Sequence, residues 1–183
     1  MVDDSNNEKI IIAYQAEDPY YGKAIVGTVS GMSISFGTAA TFNSSLSDYI
    51  TIAYDANAQK VVIAYRDASV HPVGEHKKID DGVIKIVRSF DGGSTWEKTF
   101  IAWLDKDWDC AGSRTLIVTP IGLIMFVFKA KRANLKSPIS TIQTILSTDN
   151  GYNWKLLSST STKRPEEFEY LNYTVCCIKI QGH

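Results

Sequence analysis

Residues 89–96 read SFDGGSTW and residues 147–154 read STDNGYNW. Both fit Ser-x-Asp-x-Gly-x-x-Trp, with Asp91 and Asp149 standing 58 residues apart. In a tight turn an aspartate carboxylate accepts hydrogen bonds from the amides that follow it, and glycine supplies the left-handed backbone. The serine hydroxyl is placed to bond across the hairpin mouth, and the tryptophan to fold back over the turn. The spacing therefore predicts two stapled turns with structural roles throughout. One is built by Ser89, Asp91, Gly93 and Trp96, the other by Ser147, Asp149, Gly151 and Trp154.

Outward from these turns the chain reads as hairpins. No stretch sustains apolar residues at helical spacing, and β-branched and aromatic residues dominate the apolar runs. Strands are expected at 9–16, 23–30, 32–42, 48–55, 60–67, 82–89, 96–103, 115–120, 122–129, 140–147, 153–159 and 173–180, separated by SGMS, DANAQ, DGGS, TPIG and DNGYN. The hairpins repeat: KIIIAYQA at residue 9 recurs as KVVIAYRD at residue 60, and GLIMFVFK at residue 122 fills the same place in a third unit. Units of this length with four strands each mark β-propeller blades. The expected fold is all-β, one propeller domain over residues 1–183, with blades at about 9–45, 46–104 and 108–159 and a last strand at 170–183. It begins on the second strand of a blade and ends on a first strand, and three blades are fewer than the roughly four that close a ring. The expected partner is a second copy of the chain, as a homo-oligomer, or the remainder of a longer polypeptide.

Composition narrows the partners. Among 183 residues the formal net charge is −1, with 44% hydrophobic and 21% charged residues and a pI near 6.3. That charge gives no field for phosphate contacts, so nucleic acid is disfavoured. The apolar runs, such as Leu123–Phe128, are strand-length, and membrane insertion is not expected. The acidic N-terminus MVDDSNNEK lacks the form of a secretory signal. Cys110, Cys176 and Cys177 read as buried thiols rather than a disulfide framework, and no metal or cofactor is expected.

The twin turns at blade spacing resemble the Asp-box, or bacterial neuraminidase repeat, of sialidases and other β-propellers. From about Ser47 onward the order of elements is similar to sialidase-like sequences, with TLIVTPIGLIMFVFKAKR resembling the second and third strands of a repeat. The resemblance implies three carboxylate-binding arginines, a tyrosine–glutamate nucleophile pair and a loop aspartate as acid–base. Against it, the Phe-Arg-Ile-Pro signature falls near Ala111-Gly112-Ser113-Arg114, displaced by two residues, and the preceding blade has Ser47-Asp48-Tyr49-Ile50 with no arginine. A complete sialidase site is therefore not expected, and Asp67 is the one candidate catalytic residue. The N-terminal part, GKAIVGTVSGMSISFGTAATF, resembles repeated β units of bacteriophage tail fibres.

Candidate ligand-binding residues sit at strand ends and in the loops between second and third strands, which gather at the mouth of a propeller. The loop DASVHPVGEHKKIDD offers His71 and His76 beside Arg66 and Asp67, with Glu75 and Asp80; its spacing matches no zinc pattern, which leaves solvated residues or hydrogen bonding to sugar hydroxyls. LDKDWDCAGSR supplies Trp108 as an aromatic platform, with Asp109 and Arg114; packing of Trp108 under its loop is the alternative. Arg132, after Lys129 and Lys131, completes the set or belongs to a solvated face. The expected function is carbohydrate recognition, as the receptor-binding part of a phage tail located on the virion or outside the cell. A sialidase-type hydrolase completed by another chain and a purely structural tail component are the alternatives.

Overall fold

The structure is a computed structural model describing residues 1–4, 7–56, 58–67, 83–104, 110–131 and 139–163. Every element is a strand: β1 Val2–Asp4, β2 Lys9–Gln15, β3 Tyr21–Ser30, β4 Ser33–Phe36, β5 Ala40–Asp55, β6 Lys60–Asp67, β7 Val83–Ser89, β8 Phe100–Leu104, β9 Cys110–Thr119, β10 Gly122–Lys131, β11 Ile139–Ser147 and β12 Lys155–Lys163. All pairings are antiparallel. No helix among the described residues is long and apolar enough to cross a membrane.

Hydrogen bonding joins β1-β2-β3-β5-β6-β7-β8 in order, with β4 on β3, and separately β12-β11-β10-β9. The longer ladder is folded in two at β5. Residues 40–46 of β5 pair with β3, and residues 47–55 pair with β6. At the corner Asn43 Nδ2 donates to Ser47 Oγ (2.8 Å) and to Ser45 O (3.3 Å), and Tyr49 takes a φ of 48°. The result is three sheets: β1-β2-β3-β5 with the short β4 also on β3 as sheet one, and two four-stranded ones, β5-β6-β7-β8 as sheet two and β9 to β12 as sheet three.

Alternation in β6 shows how they stack. Val61 to Tyr65 are all at most 1% exposed. Val62 and Ala64 join Ile84 and Ile86 against Leu116, Leu123, Met125, Val127 and Ile145 of sheet three. Ile63 and Tyr65 join Val87 against Ala24 and Phe42 of sheet one. Sheet two is thus buried on both faces, which is why its strands read as continuous apolar runs. Each fully buried aliphatic side chain there contributes about 1.5–3 kcal/mol to the stack.

Several expected boundaries shift. The place before β2, expected to be left open, is taken by β1, with Val2 opposite Ile11 and Asp4 opposite Lys9. Buried Asp4 anchors it, accepting from Tyr54 Oη of sheet two (2.7 Å) and from Asn7 Nδ2 (2.9 Å). The single strand expected at 32–42 divides into β4 and β5: the β3–β4 register runs on to a bond from the Gly37 amide to Val26 O (3.0 Å), and β5 then takes up β3 in a new register, with Ala40 opposite Ala24. The strand expected at 96–103 begins only at Phe100, after Trp96 has turned inward to Phe42, 6.2 Å between ring centroids. The strand expected at 170–183 lies outside the described residues.

Candidate functional site

The two octapeptides fall where the spacing predicts, between β7 and β8 and between β11 and β12. Their hydrogen bonds agree to within 0.1 Å. Ser89 Oγ accepts from the Gly93 amide at 2.7 Å and donates to Asp91 Oδ1 at 2.7 Å; the same bonds at Ser147, Gly151 and Asp149 measure 2.7 and 2.8 Å. Asp91 Oδ1 accepts from Thr95 N and Asp149 Oδ1 from Asn153 N, both at 2.8 Å. Gly93 and Gly151 have φ of 91° and 88°. The serine acts inside the turn rather than across the hairpin mouth, because its hydroxyl faces the glycine amide four residues on.

These carboxylates are spent on the turns. Burial raises the Asp91 pKa, but bonds from Thr95 and Ser89 outweigh it and hold the group below its usual value. At Asp149 the Asn153 amide lowers the pKa and burial opposes it, with the same net direction. The tryptophans differ. Trp154 Nε1 donates to Gly151 O (3.0 Å), whereas buried Trp96 Nε1 has no hydrogen-bond partner among the described residues.

The opposite end of the stack carries the candidate site. There β6 ends at Asp67 and β7 begins at Val83, β8 ends at Leu104 and β9 begins at Cys110, β10 ends at Lys131 and β11 begins at Ile139. At the edge of sheet two, Arg66 grips Asp48 through Nε (2.6 Å to Oδ1) and Nη2, and its guanidinium lies 4.6 Å from the Tyr49 ring centroid. Asp67 pairs through Oδ2 with Lys85 Nζ. Its side chain is 5% exposed, yet Oδ1 has no hydrogen-bond partner among the described residues. Tyr65 lies beneath with its hydroxyl 3.1 Å from Thr99 Oγ1. Burial pushes this phenol up to about 12, the Asp67 charge adds to the effect and the Thr99 bond opposes it, so Tyr65 is a neutral group at ordinary pH.

A β-bulge shapes this edge. Asp48 pairs with Arg66 and Thr51 with Ala64, leaving two residues of β5 opposite Tyr65. In sheet three the register shifts at the corresponding place: Thr115 pairs with Phe126 and Ser113 with Val127, and Arg114 is the extra residue. Bulges of this kind re-aim side chains and recur beside binding sites. By these registers Ile50 and Arg114 occupy matching places in the two sheets, and Tyr49 matches Ser113.

Of the predicted ligand residues, the structure brings Arg66 and Asp67 to one edge and places Arg114 in β9 at the same end. His71, His76, Trp108, Asp109 and Arg132 lie outside the described residues. Asp48, Tyr49 and Lys85 were missed. A charged residue inside the apolar run Val83–Val87 was the available signal for Lys85, since an interior lysine needs a carboxylate. Among the described residues no group of three or more His, Cys, Asp or Glu is arranged to hold a metal ion. No protein-family model matches the chain, and no curated protein matches it.

Proposed function

We propose that this protein is a carbohydrate-recognising β-propeller module, its three sheets being blades fastened by Asp-box turns, and that it contacts host surface glycans as the receptor-binding part of a phage tail. The observation that carries the reading is Asp67 Oδ1, a buried acceptor with no partner among the described residues, at the end of the stack where β6, β8 and β10 finish. A buried carboxylate oxygen without a donor is costly. A sugar hydroxyl satisfies it, with Lys85 beside it as a donor, while Arg66 and the Tyr49 ring, which strand alternation sets on the other face of sheet two, offer a donor and an aromatic face at the same end. Individual bonds of this sort are worth about 1 kcal/mol net, so useful affinity depends on several sites acting together. The tail-fibre-like cadence of residues 22–42 supports the virion setting.

A glycan array, followed by titration calorimetry on the best ligand, tests this. Asp67→Asn keeps the size of the side chain and should weaken binding about 5- to 10-fold, the equivalent of one hydrogen bond. Absence of binding to every glycan removes the reading. Turnover of a fluorogenic sialoside that is abolished in Asp67→Asn replaces it with a hydrolase.

A further inference from the structure

Each internal contact joins unlike faces of neighbouring sheets. Sheet two shows Val62, Ala64, Ile84 and Ile86 to sheet three, and Ile63, Tyr65 and Val87 to sheet one. The order has a direction: Gly93 of the first octapeptide turn sits against Val26 and Ile11 of sheet one, and Gly151 of the second against Ile86 of sheet two. A next sheet in the series would cover the free face of sheet three, and a preceding one the free face of sheet one.

Strand alternation fixes what those free faces carry. On sheet one, Ile10, Ile12 and Tyr14 stand in the repeat where sheet two has Val61, Ile63 and Tyr65. Ile34 and Phe36 of β4 extend the same face, meeting Ile10 over Gly27. On sheet three, Ile124 and Phe126 stand where sheet two has Val62 and Ala64, and Ile142 lies beside them on β11, while Leu146 of the same face is already buried. The sheet-two residues are at most 1% exposed, whereas Tyr14 is 36%, Ile142 38%, Ile34 48% and Phe36 51% exposed. A sheet face meant for water alternates to polar residues; these two repeat the chemistry of the internal contacts.

We propose that the outer face of sheet one packs on the outer face of sheet three of a second copy of this chain, head to tail, twice about a twofold axis. The internal rule makes these two faces complementary, and each chain carries one of each. The three described sheets cannot satisfy both by themselves, because three fall below the roughly four needed to close a propeller, whereas six lie within the range. A head-to-tail contact that closes gives a finite ring rather than a filament. The inference rests on the propeller arrangement proposed above and is independent of the glycan.

Sedimentation velocity on the full chain is the test. The wild type should run at twice the 20.3 kDa chain mass. Ile34→Asp/Phe36→Asp and Ile142→Asp, both at part-exposed positions, should each run as monomers with unchanged far-ultraviolet circular dichroism. Mixing the two variants should restore a dimer, since one of the two contacts then pairs intact faces. A wild-type monomer, a larger open series, or a dimer indifferent to both variants overturns the proposal. A dimer lost in one variant alone and not restored by mixing shows like faces meeting, and also overturns it. Glycan binding by a wild-type monomer would leave the carbohydrate reading standing while this one fails.

Discussion

The guanidinium carbon of Arg88 lies 3.5 Å from the centroid of the Tyr152 ring, across the contact between sheet two and sheet three. Arg88 is fully buried, held by Glu97 on its own sheet, with Nη1 donating to Asn150 O (2.9 Å) of the facing turn. Phe100 adds a second ring at 4.8 Å. One cation thus ties the second octapeptide turn to the strand before the first. Arg88→Met keeps much of the apolar stem but strands Glu97 and the Asn150 carbonyl. Because Glu97 is partly exposed and can rehydrate, the expected loss is about 2–3 kcal/mol, below the full cost of breaking a buried pair. Urea unfolding measures it; a loss under 0.5 kcal/mol contradicts the role.

The twin turns give a controlled comparison of two indoles. Trp154 donates to Gly151 O, whereas Trp96 Nε1 has no partner among the described residues. Both rings pack against buried clusters, so Trp→Phe removes similar apolar area at each. Trp154→Phe should therefore cost about 1 kcal/mol more than Trp96→Phe, the worth of the one hydrogen bond that differs. Equal losses in parallel denaturation curves would show that the bond to Gly151 O contributes nothing.

Much of this fold was legible because period and turn chemistry agree. Residues 60–67 read as a strand, the octapeptides as hairpin turns, and the recurrence of KIIIAYQA as KVVIAYRD as a repeat of hairpins. The first strand was not legible: Val2-Asp3-Asp4 has no apolar alternation, and Asp4 is held there by Tyr54, fifty residues away. At the candidate site the hidden step was the bulge. A plain hairpin register from Asp55–Lys60 would not set Asp48 opposite Arg66; the extra residue at Tyr49–Ile50 does so.

Acid should reveal the turn carboxylates. Asp91 and Asp149 sit below the usual 3.8, as does Asp4, where bonds from Tyr54 and Asn7 outweigh the opposing effect of burial. A depressed carboxylate stabilises the fold above its unfolded pKa, and that contribution is lost as pH falls through the folded value. Stability should hold from pH 7 to 5 and fall below about pH 3.8. Asp91→Asn/Asp149→Asn should be less stable at pH 7 and show a shallower acid limb. Parallel curves for variant and wild type would refute the assignment.

The alkaline side has the opposite sign. Burial, then the Asp4 bond and charge, push the Tyr54 phenol up to about 12, the value Tyr65 also reaches. A raised phenol stabilises the fold below the ordinary 10 and loses that contribution as pH rises toward 12. Absorbance titration should find Tyr54 and Tyr65, two of the nine tyrosines, still protonated at pH 11, provided circular dichroism shows the fold intact. Nine tyrosines titrating together in the folded protein would contradict both environments.

Lys85 and Asp67 supply the last test, since each explains the other's presence in an otherwise apolar stretch. The Asp67 side chain is 5% exposed and Lys85 29%, so deleting the lysine leaves a buried carboxylate without its counter-charge. Lys85→Met should cost about 3 kcal/mol, near the lower limit for breaking a buried pair. Lys85→Met/Asp67→Asn removes the stranded charge and should recover more than half of that loss, a coupling a double-mutant cycle in urea measures directly. If the double variant is as unstable as the sum of the singles, Asp67 is not held by Lys85, and the edge that presents Oδ1 is built some other way.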